Sequence, residues 1–296
     1  MKYVITGGAG NISKPLAEQL LAAGHQVVVI GRNAENLKPL TDKGAQAAIG
    51  SVEDVAFVKQ AFAGADAVYT MVPPTFAASD WKAFIGQIGE NYAEAIKANG
   101  IKKVVNLSSI GAHMKEGAGP VSGLFRSETA LNNLENVDVL HLRPGYFYEN
   151  LLANVGMVKG MNILGGNFGN AETKMVLTTP EDIAAVAAEV LLSLNFKGVS
   201  YRYIASDVRT TGDLASVLGE AVGKPGLPWV EFTDEQSEQG MIQAGLPGEV
   251  ARNFMEMGAA IRSGKLYEEY WKHQENLGKV KLEDFAQKFR AVYSAS

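Results

Sequence analysis

The stretch VITGGAGNIS, residues 4–13, places three glycines within four positions directly behind a short apolar run. A glycine-rich turn between a buried strand and a helix lets backbone N–H groups approach a pyrophosphate at the positive end of the helix. Gly7 and Gly8 permit the tight turn, and Gly10 lacks a Cβ that would block the phosphates. Position 13 faces the strand and needs only a small residue, so Ser13 is acceptable there. The stretch predicts a dinucleotide-binding turn, with a plain strand–helix turn as the alternative.

Two hydrophobic periodicities alternate through the first half of the chain. The β-rich runs 2–6 and 25–32 flank the segment 12–24, whose apolar residues recur at three- and four-residue spacings. Further strands are predicted at AQAAIG, 65–74 and 101–109, with a long helix over 80–100. Strand–helix units with short connections favour an α/β fold, a doubly wound parallel Rossmann sheet with helices on both faces.

The end of the second predicted strand bears on which dinucleotide is bound. An NAD site normally places Asp or Glu there for the ribose hydroxyls, whereas this chain reads IGRN over 30–33. The guanidinium of Arg32 matches the charge and geometry of a 2′-phosphate. We therefore expect NADP(H) to be preferred over NAD(H), the alternative being an ordinary solvated surface arginine.

Composition excludes several other classes of protein. The 296 residues are 47% hydrophobic and 20% charged, as in soluble globular proteins, and the lack of cysteine excludes disulfides and thiolate sites. The four scattered histidines lack carboxylates at ligand spacings, so no metal site is expected. A net charge of −5 without a basic cluster argues against nucleic acid. With no secretory signal or membrane-length apolar stretch, a cytoplasmic protein without a membrane partner is expected; homo-oligomerisation is left open.

Four segments resemble those of the NmrA-like group, which are atypical short-chain dehydrogenases/reductases. They are TGGAGNIS (6–13), similar to the group's TGxxGxxG turn; IKKVVNLSSIGA (101–112), similar to its fifth strand; VLHLRPGYFYENLL (139–152), similar to its LRPGxFxEN segment; and TTPEDIAAVAAEVL (178–191), similar to one of its helices. The resemblance extends through nearly the whole chain. It specifies the family but no substrate.

The resemblance implies a cofactor lying across the glycine turn and the tips of the second, fourth and fifth strands. The implied cofactor-binding residues are Thr6, Gly7, Gly8, Gly10, Asn11, Ile12, Arg32, Ser51, Val52, Met71, Val72, Pro73 and Ser108. Many relatives carry an Asp after the third strand, near the adenine, where this chain has Ser51 and Val52.

One departure from typical short-chain dehydrogenases concerns the chemistry. Those enzymes use a Tyr with a Lys four residues later, which lowers the pKa of the phenol so that it relays a proton. None of the ten tyrosines here has Lys at that spacing, and the segment 119–134 contains neither residue. Within the group the resemblance implies two functions: NADPH-dependent reduction of conjugated acceptors such as quinones, azo dyes and triphenylmethanes, or NADP(H) sensing by an inactive protein that binds a protein partner.

Candidate catalytic residues follow the fifth predicted strand. Ser108 and Ser109 end that strand, where loops of an open α/β sheet meet a ligand, although turn capping is an equal alternative. His113 in the next loop titrates near neutral pH, and a solvated loop histidine is its alternative. Ser108 and His113 are the candidate proton donors, besides solvent.

The aromatic segment RPGYFYEN, 143–150, suggests a wall for a flat acceptor. Its alternative is core packing, and Arg143 and Glu149 are candidates for a structural ion pair. The predicted substrate pocket consists of Pro74, Ser109, Tyr146 and Phe147.

The second half of the chain completes the predicted organisation. Residues 1–150 are expected to form the NAD(P)-binding Rossmann domain, with 180–205 returning to its sheet. Residues 151–179 are assigned to a smaller lobe, and within them the stretch 154–179, rich in glycine and methionine, is expected to be loops with short strands. Together with the mainly helical stretch 206–296 they are predicted to form a smaller C-terminal lobe that covers the substrate.

Overall fold

A parallel sheet of seven strands lies at the centre of the computed structural model, which describes residues 1–273 and 276–295. The strands of the chain are β1 (Lys2–Ile5), β2 (Gln26–Gly31), β3 (Gln46–Ile49), β4 (Ala67–Thr70), β5 (Lys103–Leu107), β6 (Asp138–Pro144), β7 (Tyr146–Phe147), β8 (Leu164–Gly166), β9 (Lys174–Thr178), β10 (Val199–Ile204), β11 (Asp207–Thr210) and β12 (Trp229–Glu231). The order across the main sheet is β10-β6-β5-β4-β1-β2-β3, with every neighbouring pair parallel. The predicted doubly wound parallel sheet is confirmed.

Helices connect these strands and cover both faces of the sheet. They are α1 (Ser13–Ala22), α2 (Ala34–Thr41), α3 (Val55–Ala61), α4 (Trp81–Asn99), α5 (Pro120–Asn132), α6 (Val155–Met161), α7 (Pro180–Ser193), α8 (Thr211–Ala221), α9 (Asp234–Gln243), α10 (Gly248–Arg262), α11 (Glu268–Lys272) and α12 (Leu282–Ala295). Capping residues set the ends of the long helix α4. The Asp80 carboxylate accepts a hydrogen bond from the N–H of Ala83, and Gly100 ends the helix in the left-handed conformation. Of the helices described, none is long and apolar enough to cross a membrane.

Strand β1 shows why the central strands are apolar throughout. Tyr3 and Ile5 point to one face, into a core shared with α1 and α7, whereas Val4 points to the other face, into a core shared with α3 and α4. Successive side chains of a strand alternate between faces, so a strand covered by helices on both sides needs apolar residues at every position.

The strand tips differ from the sequence prediction in a way that shapes the site. The predicted strand over 65–74 ends at Thr70, because residues 71–74 leave the sheet as an irregular segment containing two prolines. The predicted strand over 101–109 ends at Leu107. The N–H of Ser108 still donates to the Leu142 carbonyl oxygen at 2.8 Å, so Ser108 is held at the strand tip.

The second half of the chain adds β10 to the main sheet and builds a separate hydrophobic core. Strand β10 pairs in parallel with β6, from Val199 opposite Val139 to Ile204 opposite Pro144. Strands β11, β9 and β7 form a small sheet, and β12 pairs with β8. The segment expected to hold only loops and short strands also contains helix α6, because Val155 and Val158 bury one face of it in this core.

Candidate dinucleotide-binding site

A groove of about 820 Å³ lies at the carboxyl ends of β1, β2, β3 and β4. Ligands of open α/β sheets bind at this edge, outside the carboxyl ends of the strands. Nine of the predicted site residues line the groove: Gly7, Gly8, Gly10, Arg32, Ser51, Val52, Met71, Pro73 and Pro74. The first eight were predicted as cofactor contacts, and Pro74 as part of the substrate pocket.

The geometry of the glycine turn explains each of its unusual residues. Gly7 has φ +92° and Gly8 has φ +59°, values that favour glycine. A Cβ on Gly7 would lie 2.5 Å from the Oγ of Ser13, whose hydroxyl donates to the Thr6 carbonyl oxygen at 2.8 Å. Ser13 thus fills the space beneath the turn, where a larger residue would not fit. By contrast, a Cβ on Gly10 would meet only the Gly7 carbonyl oxygen, at 3.1 Å.

Backbone donors at the start of helix α1 are available to an anion. In the described part of the chain, the N–H groups of Asn11 and Ile12 donate to no protein acceptor, whereas those of Gly8 and Gly10 donate to the carbonyl oxygens of Ile30 and Gly7. Free N–H groups at a helix N-terminus bind phosphate oxygens. The residues present therefore fit a pyrophosphate at this turn.

Arg32 stands at the rim of the groove, at the tip of β2. Its side chain is exposed and forms no salt bridge with any residue that the structure describes. The side chain of the neighbouring Asn33 has a structural role: it accepts a hydrogen bond from the N–H of Glu35 and caps the N-terminus of α2. Arg32 is thus a cation at the groove with no ion-pair partner among residues 1–273 and 276–295.

Several predicted cofactor residues lie beneath or beside the groove and do not line it. The Thr6 hydroxyl accepts the N–H of Met71 at 2.8 Å and ties the tips of β1 and β4 together. Ile12 is buried in the core beside α1, and Val72 packs into the core on the opposite face. Asn11 borders a smaller neighbouring cavity instead of the groove.

Ser108 is placed at the tip of β5 and is only 5% exposed. Its Oγ has no hydrogen-bond partner among the described residues, which is unusual for a buried hydroxyl. Ser108 does not line the groove. The hydroxyl of Ser109, in contrast, donates to the carbonyl oxygen of Ile110 at 3.0 Å.

His113 lies in a second cavity, of about 800 Å³, that shares no lining residue with the groove. Glu128, Arg143 and Tyr203 also line this cavity, and burial lowers the pKa of His113. The structure therefore does not bring His113 to the groove.

The suggested ion pair between Arg143 and Glu149 is not formed. Arg143 donates from Nε and Nη2 to the two carboxylate oxygens of the buried Glu128, at 3.0 and 2.6 Å. Glu149 instead pairs with Lys288 of α12 at 2.9 Å. Glu128 lies on α5 and Arg143 lies on β6. No local spacing in the sequence relates these two residues, because they meet only when α5 packs against the sheet.

The aromatic residues of the predicted acceptor wall are packed against other side chains. Tyr146 and Phe147 form β7, which pairs in parallel with β9. The ring of Tyr146 packs edge-on against Phe168, with centroids 5.7 Å apart, and burial raises the pKa of its phenol. Neither residue lines the groove or the second cavity.

A parallel sheet with a glycine turn at β1, free helix N-terminal donors and an unpaired arginine at β2 defines a dinucleotide-binding Rossmann protein. The chain belongs to the NAD(P)H-binding family, whose model matches residues 7–193. The predicted relationship to atypical short-chain dehydrogenases is thereby confirmed.

Known proteins similar to this chain include one relative by sequence and two by structure. The NAD(P)H azoreductase of Xenophilus azovorans is 25% identical over 258 residues, 86% of each chain. The NADPH-dependent quinone oxidoreductase of Escherichia coli, in complex with NADPH, has a TM-score of 0.83 at 21% identity and covers 97% of this chain and 99% of its own. The triphenylmethane reductase of Citrobacter sp., in complex with NADP(H), has a TM-score of 0.77 at 21% identity, covering 98% and 100%. The two structures show a shared fold.

Proposed function

We propose that this protein is an NADPH-dependent reductase that transfers hydride to a small conjugated acceptor of the quinone, azo or triphenylmethane type. The observation that carries the proposal is the groove, which presents free backbone donors at the glycine turn and an unpaired Arg32 at the tip of β2. The activities of the similar azo, quinone and triphenylmethane reductases support this acceptor class.

The residues of the chain contribute binding and orientation more than acid–base chemistry. When bound, NADPH supplies the hydride. The glycine turn holds the pyrophosphate, Arg32 holds the 2′-phosphate, and Ser108 offers its unpartnered hydroxyl at the tip of β5. No Tyr/Lys pair is present to relay a proton. Reduction of an electron-poor acceptor therefore depends mainly on orientation and on water exclusion.

Oxidation of NADPH measured against a panel of quinones, azo dyes and triphenylmethane dyes tests the proposal. Turnover with at least one class is the expected result. NADPH binding without turnover of any acceptor would contradict the reductase and favour the second function, an NADP(H)-sensing protein that binds a protein partner. The missing Tyr/Lys pair is the observation in favour of that second function.

We expect isothermal titration to show that NADPH binds more tightly than NADH by about 10- to 100-fold. Arg32 would form a charge-assisted contact with the 2′-phosphate, on the order of 1.5–3 kcal/mol. In Arg32→Ala the two affinities should become similar, whereas Arg252→Ala, a distant exposed arginine, should leave the preference unchanged. Equal affinities in the wild type, or a preference that survives Arg32→Ala, would refute this assignment.

Loss of either candidate proton donor should have a limited effect. An essential general acid typically contributes about 10²- to 10⁴-fold to the rate. We expect Ser108→Ala and His113→Ala each to lower kcat/KM with a quinone well short of that range. His113→Ala should be the milder, because His113 lies in the second cavity, whereas Ser108 follows β5, the strand next to β4, whose tip lines the groove. A collapse of activity in either variant, with folding and NADPH binding intact, would contradict catalysis by orientation alone.

A further inference from the structure

A small cavity of about 320 Å³ borders the glycine turn on a different side from the groove. Ala9 and Gly10 line both spaces. The other walls of the small cavity include Asn11 and Lys14 of the α1 region, Glu149, Pro180 and Lys288. Its volume admits a single ring or sugar, in keeping with the lower end of ligand pockets.

Glu149 is the unexplained group in this cavity. Its Oε1 accepts a hydrogen bond from the Lys288 ammonium at 2.9 Å, but its Oε2 is buried and has no hydrogen-bond partner in the described part of the chain. A carboxylate oxygen that is withdrawn from water without a donor costs free energy, so such an atom in a native site calls for a ligand or a bound water. A partner of Glu149 must be a hydrogen-bond donor, because the carboxylate only accepts.

The positions of the lining residues along the chain indicate which part of a bound dinucleotide would lie in this cavity. All residues that line the groove belong to β1–β4 and the elements joining them, up to Phe84 of α4. Those elements surround Arg32 and Ser51, where the adenosine half of a dinucleotide would lie. A pyrophosphate bound at Gly10 would therefore place the nicotinamide half of the dinucleotide on the far side of the glycine turn from the adenosine half. The small cavity adjoins Gly10 and receives Glu149 from the segment that follows β6 and β7.

We infer that Glu149 binds the nicotinamide riboside half of the cofactor, with Oε2 accepting a hydrogen bond from the carboxamide N–H₂ or from a ribose hydroxyl. This role would fix which face of the nicotinamide ring is presented to the acceptor. Lys288 neutralises the carboxylate, so that it can stand close to the pyrophosphate without net repulsion. The inference rests on the cofactor site of the proposed function, and it names a contact within that site.

Binding of two probes separates this contact from the rest of the site. NADPH contains both halves of the cofactor, whereas adenosine 2′,5′-bisphosphate contains only the adenosine half. We expect Glu149→Gln to weaken NADPH binding by about 10- to 100-fold, because the amide has one oxygen for two donors and its N–H₂ group must face either Lys288 or the cofactor. Binding of adenosine 2′,5′-bisphosphate should stay within about twofold of wild type, since that probe does not reach the cavity.

One control variant and one analogue sharpen the test. Glu181→Gln alters an exposed carboxylate of the same cavity and should not reproduce the selective loss of NADPH affinity. The 3-acetylpyridine analogue of NADPH lacks the carboxamide N–H₂. If it binds wild type and Glu149→Gln equally, the donor is the carboxamide; if it shows the same loss as NADPH, the donor is a ribose hydroxyl.

The inference is overturned if Glu149→Gln binds NADPH as wild type does, if both probes weaken equally, or if Glu181→Gln reproduces the whole effect. The readout does not depend on turnover. A wild-type protein that binds NADPH but reduces no acceptor would contradict the reductase and leave this contact standing. A wild-type protein that binds neither probe would refute the cofactor site itself.

Discussion

Gly10→Val is expected to abolish NADPH binding while leaving the fold largely intact. Gly10 has no positive φ, and a Cβ there would meet only the Gly7 carbonyl oxygen, at 3.1 Å, so the backbone tolerates a side chain with limited strain. The branched side chain would instead project into the path of the phosphates and separate them from the N–H groups of Asn11 and Ile12. Losing several charge-assisted hydrogen bonds should weaken binding by at least about 100-fold in a titration.

Gly7→Ala is the matched control at the same turn. Gly7 has φ +92°, and its added Cβ would lie 2.5 Å from the Ser13 hydroxyl oxygen. This variant should therefore lower the thermal unfolding midpoint by more than Gly10→Val does. If Gly10→Val instead destabilises the protein and its remaining folded fraction binds NADPH normally, then Gly10 is only a turn residue and the phosphate path lies elsewhere.

The second large effect is expected in acid, from His141 inside the sheet. His141 is fully buried on β6, and its ring is held in a chain of polar side chains. The Thr70 hydroxyl donates to Oδ1 of Asn106 at 2.9 Å, and Nδ2 of Asn106 donates to Nδ1 of His141 at 3.0 Å. The other ring nitrogen therefore carries the proton and donates to Oδ1 of Asn132 at 2.7 Å. The network accommodates only neutral histidine.

Protonation of His141 should cost folding stability as the pH falls. Burial, reinforced by the nearby Arg143 and opposed by Glu128, lowers the pKa of His141 from 6.5 to about 4. Below pH 6.5 the unfolded chain gains a proton at this residue that the folded chain does not, so the folded state is progressively disfavoured until about pH 4. The free energy of unfolding should fall through that window by on the order of 3 kcal/mol from this residue.

Urea unfolding at a series of pH values measures this loss. His141→Gln should be less stable than wild type at pH 7.5, because the network is broken, but its stability should fall less steeply between pH 6.5 and 4. His273→Gln is the control, since the His273 side chain is 64% exposed. Parallel stability curves for wild type and His141→Gln would show that His141 does not cause the acid lability.

The local sequence was enough to predict the sheet and the glycine turn that follows β1. The prediction of β1, the glycine turn and α1 depended on neighbouring residues only, because strand alternation, positive-φ glycines and helix spacing are short-range properties. The same holds for Arg32, whose place at the tip of β2 follows from the end of a valine-rich strand. For this reason most of the cofactor residues predicted from sequence line the groove.

The tertiary structure alone decided which distant side chains meet. Arg143 bonds to Glu128 across fifteen positions, and Glu149 bonds to Lys288 across 139. It also placed His113 in a separate cavity and Tyr146 against Phe168. Such pairings depend on strand order and on how helices pack against the sheet, and no periodicity within a single segment encodes them. The sequence by itself therefore determined the sheet and the glycine turn of the candidate dinucleotide site, whereas the packing of α5, α12 and the chain after β6 decided which distant charged side chains pair.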